Sequence, residues 1–239
     1  MIDLFFGTTN SGKLRELHRL VSGLAIRLVT PDDMGGAMPD VVEDGATFHE
    51  NAGKKASEYA RWSGMYALAD DSGLRVDVLG GEPGVHSARW AELDGGLASP
   101  ACAMQQVAQR ELGVELSRAA RDEANNDKLL SALSGVPDEG RGAEYVAVLA
   151  LARPDGSILA QVEGRCRGRI ARARRGTAGF GYDPLFVPDE RGAGASGEQS
   201  RRTMAELDPS EKDALSHRGA AFRALRPILE ELAFDKNRP

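Results

Sequence analysis

Cysteine is scarce in this chain. Cys102 and Cys166 share no ligand spacing with each other or with the four histidines. That excludes a disulfide framework and a cysteine-rich metal finger, and it makes a reducing compartment, the cytoplasm, the expected setting. Long apolar runs are missing too. The longest, residues 145–152, has eight residues, against the ~20 that cross a bilayer. The opening MIDLFFG has no basic n-region and no cleavage site, so no secretory signal is expected there. Positive charge is in deficit: 30 Lys and Arg stand against 36 Asp and Glu, a net charge of −6. Nucleic acid and anionic membranes reward cationic surfaces, so neither is an expected partner. A small anion, which needs only a local positive site, remains open. No repeat and no clean linker divides the 239 residues, which points to one domain, 1–239.

What is present reads as an α/β chain. Residues 2–6 form a short apolar run closed by Gly7, a buried strand. Residues 14–24 carry leucines at helical spacing, and 25–29 form a second strand. Thr47 and Glu50 make a capping box before a helix that ends at Gly64. Residues 65–69 follow as a third buried strand, running into Asp70-Asp71-Ser72-Gly73. Helices are expected near 101–112 and 127–133. Residues 145–163 read as a hairpin about Pro154-Asp155-Gly156, and 164–170 extend a strand. Residues 189–202 read as a loop. Asp208-Pro209-Ser210-Glu211 starts a helix that runs to about residue 234.

Four segments could carry chemistry. Gly7-Thr8-Thr9-Asn10-Ser11-Gly12-Lys13 sits between a strand and a helix, where backbone N–H groups and the helix dipole favour an anion. It fits G-x-x-x-x-G-K, but Leu14 stands where a P-loop needs Ser or Thr for magnesium. A P-loop, a plain glycine turn and a different phosphate loop are all compatible with the string. Asp70 and Asp71 lie at the expected strand end, where open sheets bind ligands. Adjacent carboxylates repel unless a cation or proton intervenes, and hard oxygen ligands suit magnesium. Because neighbouring strand residues face opposite ways, the two aspartates can have different jobs. Glu43 and Asp44 could complete an acidic site. Phe180-Gly181-Tyr182-Asp183 sets aromatics among glycines, as either a stacking ring or a tight turn. Ser216-His217-Arg218-Gly219 could read a base edge or a phosphate, or could be a cap followed by surface charge. The arginines at 165, 167, 169, 172, 174 and 175 imitate a nucleic-acid patch, but the first three alternate like one solvated strand face. Phosphate steering and a subunit contact are the other readings of that run.

Taken in order, T-T-N-S-G-K-L-R-E-L (8–17), D-G-A-T-F-H-E-N-A-x-K-K-A (44–56), A-D-D-S-G-L-R-V-D-V-L-G-G-E-P-G-V-H-S-A-R-W (69–90), G-F-G-Y-D-P-L-F (179–186), T-M-A-E-L (203–207) and E-K-D-A-L-S-H-R-G-x-A (211–221) resemble the inosine/xanthosine triphosphate pyrophosphatases. The resemblance implies a mixed central sheet flanked by helices, in two lobes with the active-site cleft between them, and a homodimer. It implies magnesium-dependent hydrolysis of non-standard purine nucleoside triphosphates (ITP, dITP, XTP) to the monophosphate and pyrophosphate, which cleans the nucleotide pool. Asp71 would be proton acceptor and metal ligand, with Glu43 the other acidic metal residue. Thr8, Thr9, Asn10, Ser11, Gly12 and Lys13 would hold the triphosphate tail with Lys55 and Ser72. Phe180, Gly181, Tyr182 and Asp183 would line the base pocket, and Lys212, His217 and Arg218 would complete the substrate contacts. Stretches 93–122 and 189–202 depart from the pattern and read as insertions. A P-loop-like ATPase or kinase and a non-catalytic nucleotide-binding module are the competing readings.

Overall fold

The computed structural model describes residues 1–36, 38–93, 117–189 and 202–235. Five helices and six strands alternate along them: β1 (Ile2–Phe6), α1 (Ser11–Leu20), β2 (Ile26–Val29), α2 (Phe48–Ser63), β3 (Tyr66–Val76), α3 (Arg118–Ala132), β4 (Gly142–Ala152), β5 (Ile158–Ile170), β6 (Phe186–Pro188), α4 (Pro209–Leu215) and α5 (His217–Asp235). One mixed sheet carries all six strands in the order β2-β1-β3-β4-β5-β6. β1 pairs in parallel with both β2 and β3, and β5 pairs antiparallel with β6.

The chain forms two units, and β3, β4 and β5 each pass from one to the other. The first comprises Met1–Ser72, Val146–Arg165 and the chain from Pro209 onward. Its strand β1 is apolar on both faces because helices cover both. Leu4 and Phe6 pack with Leu17 of α1, with Val21 at its C-terminal cap and with Phe222, Leu225 and Leu229 of α5. Phe5 faces the other way, its ring 5.9 Å from Tyr59 and 5.4 Å from Trp62 of α2. The predicted capping box is present at Thr47 and Glu50, and Gly64 closes α2 in the left-handed conformation at φ 68°. The hairpin between β4 and β5 turns where Arg153 N donates to Ser157 O at 2.8 Å.

The second unit comprises Gly73–Tyr145 and Cys166–Asp208. Helix α3 is its organiser. Asn125 accepts from Ala91 N at 2.8 Å and donates to the carbonyls of Ser87 and Ala88, and Asn126 donates to Gly181 O at 2.9 Å. The Tyr145 and Phe186 rings lie 4.5 Å apart.

Four boundaries differ from the sequence reading. Helix α1 begins at Ser11, not 14, because Asn10 caps it. β3 runs on to Val76, so Asp70 and Asp71 lie within a strand and not at its end. α3 begins nine residues before the expected 127. The C-terminal helix is two, α4 and α5, broken at Ser216, whose Oγ accepts from Gly219 N at 3.0 Å as a new cap. The helix expected at 101–112 and most of the stretches 93–122 and 189–202 lie outside the described residues.

Candidate active site

The first unit gathers an unusual density of buried charge. Its base is the turn after β1. Gly7 must be glycine there, since a Cβ would stand 2.3 Å from the Tyr59 ring. Thr8 Oγ1 accepts from Asn10 N at 3.1 Å, and Asn10 Oδ1 accepts from Gly12 N at 2.9 Å and Lys13 N at 3.3 Å. Thr9 and Ser11 stay exposed at the N-terminus of α1, where backbone dipoles favour an anion. Asn10 Nδ2 is a buried donor with no hydrogen-bond partner among the described residues.

Asp70 and Asp71 point to opposite sides of β3, as strand alternation requires. Asp70 meets cations. Arg218 Nε donates to its Oδ2 at 2.8 Å, Lys13 Nζ pairs with its Oδ1, and Ser72 Oγ donates to that same oxygen at 2.9 Å. Burial alone would raise the Asp70 carboxyl, but Arg218 and Lys13 outweigh it and hold it well below the usual carboxylate range. Burial pulls the Lys13 ammonium below its ordinary value, with Arg218 and Lys55 adding to the effect.

Arg218 continues the network. Its Nη2 donates to Ser72 Oγ at 3.0 Å and its Nη1 pairs with Glu16. Lys212 Nζ lies 2.7 Å from the other Glu16 oxygen. Burial would raise Glu16, yet Arg218 and Lys212 bring it down to about 2. His217 is buried beside them. Burial, then the Arg218 charge, pushes its imidazole down to about 3, so it is neutral at physiological pH.

The other aspartate serves a different cluster. Lys55 Nζ donates to Asp71 Oδ1 at 2.9 Å and to Asp70 O at 3.0 Å, and stands 3.3 Å from Glu43 Oε2. Burial pushes the Asp71 carboxyl up to about 6 against the pull of Lys55. Asp71 Oδ2 is buried and has no hydrogen-bond partner among the described residues. Two carboxylates therefore flank one lysine, with an acceptor oxygen left over. No cluster of three or more His, Cys, Asp or Glu that could hold a metal occurs among the described residues. Two carboxylates are nonetheless the usual protein share for magnesium, which keeps waters and substrate phosphates as its other ligands. Asp44, the alternative to Glu43, instead forms an exposed pair with Lys54 at 2.8 Å.

Residues 180–183 lie in the second unit. Asp183 organises their turn: its Oδ2 accepts from Phe180 N at 3.0 Å, and its Oδ1 accepts from the Tyr145 hydroxyl at 3.4 Å. Gly181 N donates to Asp122 at 2.8 Å. Tyr182 is buried and donates to Ser87 O at 3.0 Å. The Phe180 ring is half-buried, with the Arg118 guanidinium 5.7 Å from its centroid.

The sequence profile of the Ham1 family matches residues 4–228. The chain belongs to the Ham1 family. Similar proteins include a dITP/XTP pyrophosphatase of Anaeromyxobacter dehalogenans (strain 2CP-C), 64% identical over 233 residues, covering 97% of this chain and 99% of that protein. Another, from Streptomyces coelicolor, is 41% identical over 237 residues, with 97% and 99% covered. Among solved structures, a HAM1 protein from Coxiella burnetii superposes with a TM-score of 0.71 at 35% identity, covering 97% of this chain and all of that one. This Ham1 chain thus has the expected α/β fold with a mixed sheet. Among its described residues no helix is long and apolar enough to cross a membrane.

In the first unit the structure brings together Lys13, Lys55, Asp71, Ser72, Lys212, His217 and Arg218, with Glu43 beside Lys55. Two members went unassigned in the sequence reading. Glu16 lies one helical turn after Lys13, a spacing that puts both on one face of α1. Asp70 was paired with Asp71 as a motif but received no partner, because its partners come from α1 and α5.

Proposed function

We propose that this Ham1 protein hydrolyses non-standard purine nucleoside triphosphates, with ITP, dITP and XTP as substrates, to the monophosphate and pyrophosphate. The observation that carries this reading is a pair of unsatisfied buried groups in one unit. Asn10 Nδ2 is a donor suited to an anion, and Asp71 Oδ2 is an acceptor suited to a cation or a water proton. A metal-bearing triphosphate supplies both partners. The names of the similar pyrophosphatases support the same chemistry.

Roles follow from charge and donor inventory. The turn from Thr8 to Ser11, with Gly12 and Lys13, holds the phosphate tail by helix-terminal N–H groups and one ammonium. Lys55 neutralises charge developing on the phosphate while keeping Asp71 ionised. Asp71 takes the proton of the attacking water, for which a carboxyl raised toward neutrality is suited. Glu43 and Asp71 would hold magnesium, which when bound neutralises phosphate oxygens. Arg218 presents donors only. It accommodates a keto oxygen at purine position 6 and opposes an amino group there, a mismatch that costs roughly 1–3 kcal/mol. Lys212 and His217 assist in substrate binding. Phe180, Gly181, Tyr182 and Asp183 are proposed base contacts, and we also infer a homodimer, open to test by sedimentation.

Product identification is the deciding experiment. ITP with magnesium should yield inosine monophosphate and pyrophosphate. Inosine diphosphate with orthophosphate, or binding with no product, would overturn the reading.

A further inference from the structure

A cavity of about 710 Å³ opens in the second unit, lined by Arg141, Arg169, Arg172, Arg175, Asp138 and Glu139 among others. None of these residues belongs to the proposed catalytic set. Four arginines face two carboxylates, so the lining carries a net positive charge. The protein as a whole is acidic, at −6. The volume falls in the range of roughly 300–1,000 Å³ that small-molecule pockets occupy.

Arg141 distinguishes this cavity from a chance gathering of surface arginines. It is 3% exposed. Its Nε, Nη1 and Nη2 donate to the carbonyls of Ile170, Leu133 and Ala171 at 2.8, 2.9 and 2.9 Å, and it makes no ion pair among the described residues. A guanidinium has five N–H donors, so two remain after those three carbonyls. A buried cation that makes no direct ion pair is costly unless an anion completes it. Burial and then the nearby Arg172 disfavour its charge, and the Asp138 carboxylate offsets them only in part. The three carbonyls also hold the planar fork rigid, which limits the entropy lost on binding an anion.

The remaining arginines come from the 165–175 run, of which strand alternation assigns only the first three to a solvated face. Arg165 and Arg169 are exposed and Arg167 is half-buried, while Cys166, Gly168 and Ile170 are buried. Arg172 pairs with Asp138, its Nε 2.8 Å from Oδ1, and so cancels one of the two carboxylates. Arg175 reaches the cavity from the loop after β5, its Nε 3.7 Å from Glu206 Oε2.

We propose that this cavity is a second anion site, which takes the phosphate group of a small molecule between Arg141, Arg169 and Arg175. A planar guanidinium can donate two parallel N–H bonds to two oxygens of one phosphate.

The test uses the full chain in amide-resolved NMR, titrated separately with inorganic phosphate and with adenosine monophosphate. Saturable shifts should appear at Arg141, Ile170 and Ala171, and should persist in Lys13→Ala, which weakens the first unit's anion site. Tighter binding of the nucleotide would identify an organic phosphate as occupant, and equal binding a free phosphate. Arg141 itself is left intact because its carbonyl bonds are structural. Arg169→Gln with Arg175→Gln should weaken binding about tenfold with turnover of ITP unchanged. Absence of shifts at millimolar ligand, or shifts abolished by Lys13→Ala, would overturn the proposal. So would a changed sedimentation mass in the double variant, which would make the cavity an interface between copies.

Discussion

Replacing Arg218 by alanine should destabilise the fold before it informs on catalysis. The side chain is 3% exposed, and it joins Asp70 at 1% to Glu16 at 6%. Deleting one member of a buried ion pair costs about 3–5 kcal/mol, because a buried charge is left behind. Two carboxylates lose their partner here, but each keeps another: Lys13 stays with Asp70 and Lys212 with Glu16. The loss should therefore lie near the lower end, about 3 kcal/mol, or a fall in Tm of roughly 6–12 °C for a chain of this size. Urea denaturation at neutral pH measures the first and a thermal melt the second.

The network also predicts non-additivity. In the double variant Arg218→Met with Glu16→Gln, one of the stranded charges is removed together with its partner. Its cost should be smaller than the sum of the single costs by about 1 kcal/mol or more. A loss below about 1 kcal/mol in Arg218→Ala, or strict additivity in the cycle, would show that these contacts are solvent-screened and would refute the buried-network account.

Three further outcomes are expected. Asp71→Asn should lower turnover by roughly 10²–10⁴-fold, checked by pyrophosphate release; near-normal rates would remove Asp71 from proton transfer. His217, at about 3 in the fold against an ordinary 6.5, binds fewer protons folded than unfolded between those values. Its contribution is thus full above pH 6.5 and declines as pH falls, by up to about 1.4 kcal/mol per pH unit. Wild type minus His217→Gln, in denaturation at pH 6.5 and 5, should show that slope, and parallel curves would contradict it. Gly164→Ala would place a Cβ 2.1 Å from His217 O and 2.2 Å from Ala221 N, both backbone atoms. It should therefore prevent β5 from lying against α5, with a loss of soluble folded protein; a normal yield and an unchanged melting temperature would contradict that close approach.

The sequence was legible wherever one residue type answers one local demand. The capping box at Thr47 and Glu50, the left-handed Gly64 and the hairpin at Gly156 all follow from such demands, and each is present. It misled where tertiary charge replaced local preference. Asp-Asp-Ser-Gly is turn chemistry by composition, yet β3 carries it through as strand. The reason is that each polar side chain in it finds at least one partner from another element: Lys13 from α1, Lys55 from α2 and Arg218 from α5. Two acidic residues in mid-strand are tolerable only with those three cations in place, so the strand and the cation cluster are one construction. That is why Glu16 escaped notice. Its spacing to Lys13 was visible, but its purpose, holding Lys212 and Arg218 against each other's repulsion, exists only once α1, α4 and α5 are packed. The same logic separates the arginine at 141 from its neighbours in the run at 165–175. Periodicity correctly marked the solvated face there, but it has no means of registering a guanidinium held under the surface by carbonyls of three different residues.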